Sequence, residues 1–166
     1  ETGVTSIGAS AFYGCSKLDV EIPLSVTEFG EKAFMGSGIK SITISAEVEA
    51  IPNRAFNECY SLTTVKFEDD GLVALYIGNE AFMHCTSLVS VNLPYRLNDK
   101  NAIKGIYAIG ISAFEGCTSL KDLDYMPSDL ALSFRTTHNV TISRYAFRDC
   151  VSLESANIHP QVTGTI

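Results

Sequence analysis

Short apolar–polar–apolar triplets recur along this chain: Val20-Glu21-Ile22, Ile42-Thr43-Ile44, Val65-Lys66-Phe67, Val91-Asn92-Leu93, Leu123-Asp124-Tyr125 and Ala156-Asn157-Ile158. Each predicts a short half-buried strand, because successive side chains of a strand point to opposite faces. Upstream of each triplet lies a second extended stretch, such as Val4-Thr5-Ser6-Ile7 or Val26-Thr27-Glu28-Phe29. Between the two stands an Ala-Phe pair, at Ala11/Phe12, Ala33/Phe34, Ala55/Phe56, Ala81/Phe82, Ala113/Phe114 and Ala146/Phe147. Three residues after each Phe comes Cys15, Ser37, Cys59, Cys85, Cys117 or Cys150, and then Leu18, Ile39, Leu62, Leu88, Leu120 or Leu153.

Six copies in one register predict a solenoid, in which each unit buries its apolar face on its neighbours. One triplet strand per unit, stacked in parallel, gives a sheet along one side. Proline at Pro23 and Pro94, and one place later at Pro127, suits a strand end because it has no N–H to offer the ladder. The run from Gly8 to Gly14 is too short for an independently stable helix. It predicts one turn of α or 3-10 helix, with Ala and Phe facing inward and the six Phe rings stacked as a column.

The combination V-T-x-I-G-x-x-A-F-x-G-C-x-x-L-x-x-V-x-I-P resembles the treponemal, or BspA-like, class of leucine-rich repeat, over residues 4–163. The expected fold class is therefore an α/β repeat: a leucine-rich-repeat solenoid of about six repeats, with short parallel strands and short helical or 3-10 turns. The resemblance implies a curved solenoid from a surface or secreted protein of a bacterium or protozoan, in a family linked to adhesion to host matrix or to other cells. That family shares no catalytic residues, so none is carried over. The chain departs from the pattern at Ser37-Gly38-Ile39, at Ala156, and in the first copy, where Leu18 stands only two residues before Val20.

Residues 1–3, Glu1-Thr2-Gly3, fit no repeat position and read as a cloning remnant or a mature end. Residues 4–166 read as one domain. Both ends of the sequence fall inside a repeat, which suggests a piece of a longer protein.

Charge and composition narrow the functional classes. A net charge of −7 lacks the basic stripe a nucleic-acid footprint needs. No apolar run approaches the length of a membrane span, so no membrane insertion is expected in this segment. All five cysteines occupy one repeat position, which is Ser37 in the second copy, so they are expected to be reduced and buried in a ladder rather than bridged. His84, His138 and His159 sit at different repeat positions, without metal-ligand spacing to another His or Cys. Paired acids such as Asp122/Asp124 and Asp19/Glu21 read as a solvated sheet face rather than as an acid–base pair. No catalytic residue, metal or cofactor is expected. Asn139-Val140-Thr141 is a glycosylation sequon, relevant only in a eukaryotic secretory pathway.

Binding residues are sought in two places. From the last inward residue of one strand to the apolar end of the next Val-Thr-x-Ile, the spacing is 7 for Ile22 to Phe29 and for Ile44 to Ile51. It then grows to 10 for Phe67 to Ile77, 16 for Leu93 to Ile109 and 17 for Tyr125 to Ile142. Insertions at one point of a repeat emerge on one edge, which often binds partners. The second insertion carries Arg96, Lys100 and Lys104; the third carries Leu130, Leu132 and Phe134 in alternation, then Arg135. These seven residues are the expected contact set, with the alternative that the third insertion folds back onto the solenoid. The second candidate is the outward, concave face of the sheet: Asp19, Glu21, Thr43, Thr64, Lys66, Asn92, Asp122, Asp124 and Asn157. Its rows are small, polar and poor in aromatic anchors.

The expected function is a non-catalytic extracellular or cell-surface binding module, adhesin-like, recognising a host-matrix or cell-surface protein. A glycan-binding module and a structural spacer or stalk that displays another domain are the alternatives.

Overall fold

A computed structural model describes residues 3–68, 75–93, 95–97, 103–124 and 141–157 of the chain. Along it run short strands: β1 (Ser6–Ile7), β2 (Glu28–Phe29), β3 (Ser41–Ile44), β4 (Ala50–Ile51), β5 (Thr64–Phe67), β6 (Leu75–Ile77), β7 (Ser90–Asn92), β8 (Tyr95–Leu97), β9 (Ile103–Ile109), β10 (Asp122–Asp124), β11 (Thr141–Ile142) and β12 (Ser155–Asn157). Five of them form one parallel sheet in the order β12-β10-β7-β5-β3. The register joins equivalent repeat positions, so Ile42 pairs with Val65, Val65 with Val91, Val91 with Leu123 and Leu123 with Ala156. A second sheet, β11-β9-β6-β4, is built from the Val-Thr-x-Ile stretches, and β1 and β2 form a separate parallel pair.

The core lies between the two sheets, where every coil contributes the same few side chains. The six Phe rings form the expected column. Successive centroids from Phe12 through Phe34, Phe56, Phe82 and Phe114 to Phe147 are 5.1–5.3 Å apart, with ring planes within 20° of parallel. Phe29 adds an edge contact on Phe56 at 5.9 Å. Offset parallel rings at this spacing are favourable beyond the area they bury.

The turn that carries each Phe is not the helical turn that was expected; among the described residues no segment is helical. Two residues per turn hold left-handed backbone. The residue before Ala (Ser10, Lys32, Arg54, Glu80, Ser112, Tyr145) has φ of 55–63°, and the second residue after Phe (Gly14, Gly36, Glu58, His84, Gly116, Asp149) has φ of 58–72°. Left-handed residues four apart break a right-handed helix. They also redirect alternate amides. Ala55, Asn57 and Cys59 donate three residues back within the turn, whereas Arg54, Phe56 and Glu58 donate to Asn79, Ala81 and Met83 of the next coil at 2.8–3.0 Å. A helix would keep all these bonds inside one coil; this turn uses half of them to join coils.

Close approach explains the glycine of the Val-Thr-x-Ile-Gly stretch. A Cβ on Gly30 would lie 2.2 Å from the amide nitrogen of Ala9, and one on Gly110 would lie 2.6 Å from that of Asn79.

The first coil departs from the strand pattern. Val20–Ile22, expected as a strand, pairs with no strand among the described residues and leaves β3 at the edge of the five-stranded sheet. The one-residue shortening between Leu18 and Val20 shifts this segment out of phase with β3.

Candidate functional site

Both candidate surfaces are positioned by the two sheets. The second insertion folds as a hairpin: β8 pairs antiparallel with the first half of β9 and places Arg96 opposite Lys104 as Cα partners. β9 then continues into the β6–β9–β11 sheet, with one extra residue, Tyr107, between the partners of Leu75 and Tyr76. The hairpin is thus an extension of a scaffold strand. The repeat pattern did not predict it, because Tyr95–Leu97 matches no repeat position. Lys100 lies outside the described residues, as do Leu130, Leu132, Phe134 and Arg135 of the third insertion.

On the five-stranded sheet, the register brings Thr43, Lys66, Asn92, Asp124 and Asn157 into one row, and Thr64 and Asp122 into the row beside it. Asp19 and Glu21 belong to the part of the first coil that adds no strand to this sheet and stand outside both rows. Asp19 and Asn92 are engaged with the scaffold. Asp19 forms an exposed ion pair with Lys40 at 3.0 Å. Asn92 is half-buried; its Oδ1 accepts the Phe67 amide at 3.0 Å and its Nδ2 donates to the Phe67 carbonyl at 3.3 Å. Glu21, Thr64 and Lys66 are exposed.

The cysteine ladder is structural. Each thiol donates to the carbonyl of the preceding coil's Phe: Cys59 to Phe34 at 3.0 Å, Cys85 to Phe56 at 3.1 Å, Cys117 to Phe82 and Cys150 to Phe114 at 3.2 Å. The position therefore needs a small side chain with one donor, which Ser37 also satisfies. Burial pushes the Cys59 and Cys150 thiols up to about 11 and raises Cys85 and Cys117 well above the ordinary range. Such thiols are poor nucleophiles at neutral pH. Cys15 departs from the buried ladder. It is exposed, because no described coil packs on the outer side of the first turn.

Across the turn face runs an ionic ladder that the sequence did not announce. Arg54 holds Glu80 through two hydrogen bonds of 2.8 and 3.0 Å. The Glu115 carboxylate is buried, with 5% of its side chain exposed, and it accepts from Arg148. Burial acts to raise its pKa, but hydrogen bonds from Ser112 and Arg148 outweigh this and hold it below the usual carboxylate range. The partners are 26 and 33 residues apart, a separation set by insertion length, so no fixed spacing marks them. Tyr13, Tyr60 and Tyr145 are exposed on the turns, and Tyr145 packs under the Arg148 guanidinium at 4.8 Å. They are exposed aromatic side chains outside the insertions that the sequence reading did not single out, and at the Tyr145 position the other copies carry the polar Ser10, Lys32, Arg54, Glu80 and Ser112.

Among the described residues, no group of three His, Cys, Asp or Glu is placed to hold a metal ion, and no helix is long and apolar enough to cross a membrane.

The turns, the two sheets and the phenylalanine column all belong to one repeat. In six copies, the BspA type leucine rich repeat region matches residues 1–99 and 96–165. The chain belongs to the BspA type leucine-rich repeat family. Among solved structures it is similar to a leucine rich repeat protein of T. pallidum, with 28% identity and a TM-score of 0.61 over 90% of this chain and 72% of that one. It is also similar to a leucine-rich repeat protein of Bacteroides ovatus ATCC 8483, with 27% identity and a TM-score of 0.50 over 97% of this chain and 43% of that one. No curated protein matches. Leucine-rich repeats of this family are typically non-catalytic scaffolds that bind proteins.

Proposed function

We propose that this chain is an adhesin-like, protein-binding module of an extracellular or cell-surface protein, which holds a host-matrix or other cell-surface protein on the edge that bears its insertions. The observation that carries the reading is the β8–β9 hairpin: it extends the scaffold at the second insertion and sets Arg96 opposite Lys104 on a chain of net charge −7. Two basic residues paired across the hairpin, one of them on the strand that continues into the scaffold, favour an acidic partner and raise the rate of encounter. Lys100 lies in the same insertion, and Leu130, Leu132, Phe134 and Arg135 lie in the next, at the same point of the repeat.

The test is binding of the chain to cultured cells and to immobilised matrix proteins, for Arg96→Glu with Lys104→Glu and for Phe134→Ala with Arg135→Glu. Binding lost in either variant at unchanged melting temperature is the expected result. Binding retained in both would move the contact to the sheet face around Thr64 and Lys66, which remain exposed. A chain that binds no cell, matrix protein or glycan would instead be a spacer.

A further inference from the structure

We propose a second docking site, separate from the insertion edge: the open edge of β3 takes up an extended, basic segment of a partner protein as an added strand. In a parallel ladder the peptide groups of successive residues point alternately to the two sides. The Glu68 amide donates to the Ile44 carbonyl at 3.0 Å, which turns Ile42 and Ile44 toward β5. Ser41 and Thr43 therefore direct their N–H and C=O groups the other way, toward the first coil.

There they meet no ladder partner. The first coil is stacked on the second as far as Asp19, through the Gly38 amide on the Cys15 carbonyl at 3.0 Å and the Lys40–Asp19 ion pair. From Val20 the two coils part. Residues 20–22 are one residue out of phase, and Pro23 has no N–H with which to resume pairing. The result is a cleft of about 590 Å³, walled by Glu21–Leu24 on one side and Ser41–Thr43 on the other. Its lining combines the half-buried Ile22 and the exposed Leu24 with the Glu21 carboxylate.

An unpaired strand edge is a template for another chain, with main-chain bonds giving affinity and side chains giving choice. The occupant is argued from charge. Glu21 is exposed at the cleft and the chain is acidic overall, so the segment that fits carries basic residues alternating with apolar ones.

The experiment titrates the isotope-labelled chain with a blocked Lys-Val-Lys-Val-Lys-Val peptide, and separately with Glu-Val-Glu-Val-Glu-Val, followed by amide shifts and hydrogen exchange. The expected result is a response confined to residues 20–24 and 41–43 with the basic peptide alone, and exchange of the Ser41 and Thr43 amides slowed about tenfold or more. Thr43→Pro removes one of the two donors and abolishes that response; Glu21→Lys, which leaves the backbone intact, transfers it to the acidic peptide. Overturning results are Ser41 and Thr43 amides already protected in the free chain, which would mean that residues 20–22 close the edge themselves, and shifts spread over the acidic surface without protection. Equal binding of both peptides, or of neither, also overturns it. None of these outcomes bears on the hairpin edge, whose variants are read by adhesion.

Discussion

At the scale of single residues, the fold depends on positions that repeat without variation in size. Phe56 is fully buried and stacked on both sides, by Phe34 and Phe82 at 5.2 Å each. Phe56→Ala removes a ring from the middle of the column and is expected to cost about 3–5 kcal/mol, against less than about 0.5 kcal/mol for the exposed Thr64→Ala. Chemical denaturation distinguishes them; equal costs would mean that the column is not the core. The thiol ladder gives a second expectation. In the native chain only Cys15 reacts readily with a thiol reagent, and all five thiols titrate after denaturation, since the other four are buried donors. Cys59→Ser is expected to be tolerated better than Cys59→Leu, because serine keeps the small volume and the donor to the Phe34 carbonyl. A native count above one would contradict the burial.

Elements here are coils rather than helices, and their spacing is set by backbone contact. Gly30 approaches Ala9 so closely that a Cβ would sit 2.2 Å from its nitrogen, whereas a Cβ on Gly8 would meet nothing within 4 Å. Gly30→Ala is therefore expected to destabilise by about 1–3 kcal/mol through forced separation of the first two coils. Gly8→Ala, at the same repeat position, should be neutral or slightly stabilising, because it restricts only the unfolded chain. Thermal melts of the two variants decide this, and similar losses would show that the glycine serves its own coil and not the contact. How much of these elements was legible follows from the same geometry. The strands β3, β5, β7, β10 and β12 could be read because alternation of apolar and polar residues reports directly on a two-sided sheet. The turn around Phe was misread as helical because Gly, Ala and Phe at short spacing fit either form; the deciding factor was the sharing of amides between coils, which is not a local property. Val20–Ile22 alternates like the other triplets, yet it lost its strand to a one-residue change of phase.

For the whole molecule, coils interact with nearest neighbours only, so a clamp between coils matters to cooperativity. Glu115 and Arg148 form such a clamp between the fifth and sixth coils. The Glu115 pKa is lowered in the folded chain, so its contribution is present above the unfolded value of about 4.3 and is lost as pH falls through the lower folded value. Glu115→Gln is expected to lower stability at pH 7 and to flatten its dependence on pH in that acid window, measured by denaturation from about pH 7 to pH 3. An unchanged acid dependence would assign the acid sensitivity to other carboxylates. Binding also belongs to this scale. The Arg96 and Lys104 pairing arises within one hairpin that continues a scaffold strand, and the open β3 edge arises where the first coil adds no strand to the sheet.

What the sequence alone determined is the repeat, its register, the aromatic column, the reduced thiols and the family. These are periodic, and periodic signals add up over six copies. What only the tertiary structure decided is each departure from period: the left-handed turns, the hairpin on β9, the carboxylate held under Arg148, and the coil that stops short of its sheet. The turns and the carboxylate depend on contacts between coils more than twenty residues apart, whose spacing varies with insertion length, while the hairpin and the first coil are single departures that no repeated pattern encodes.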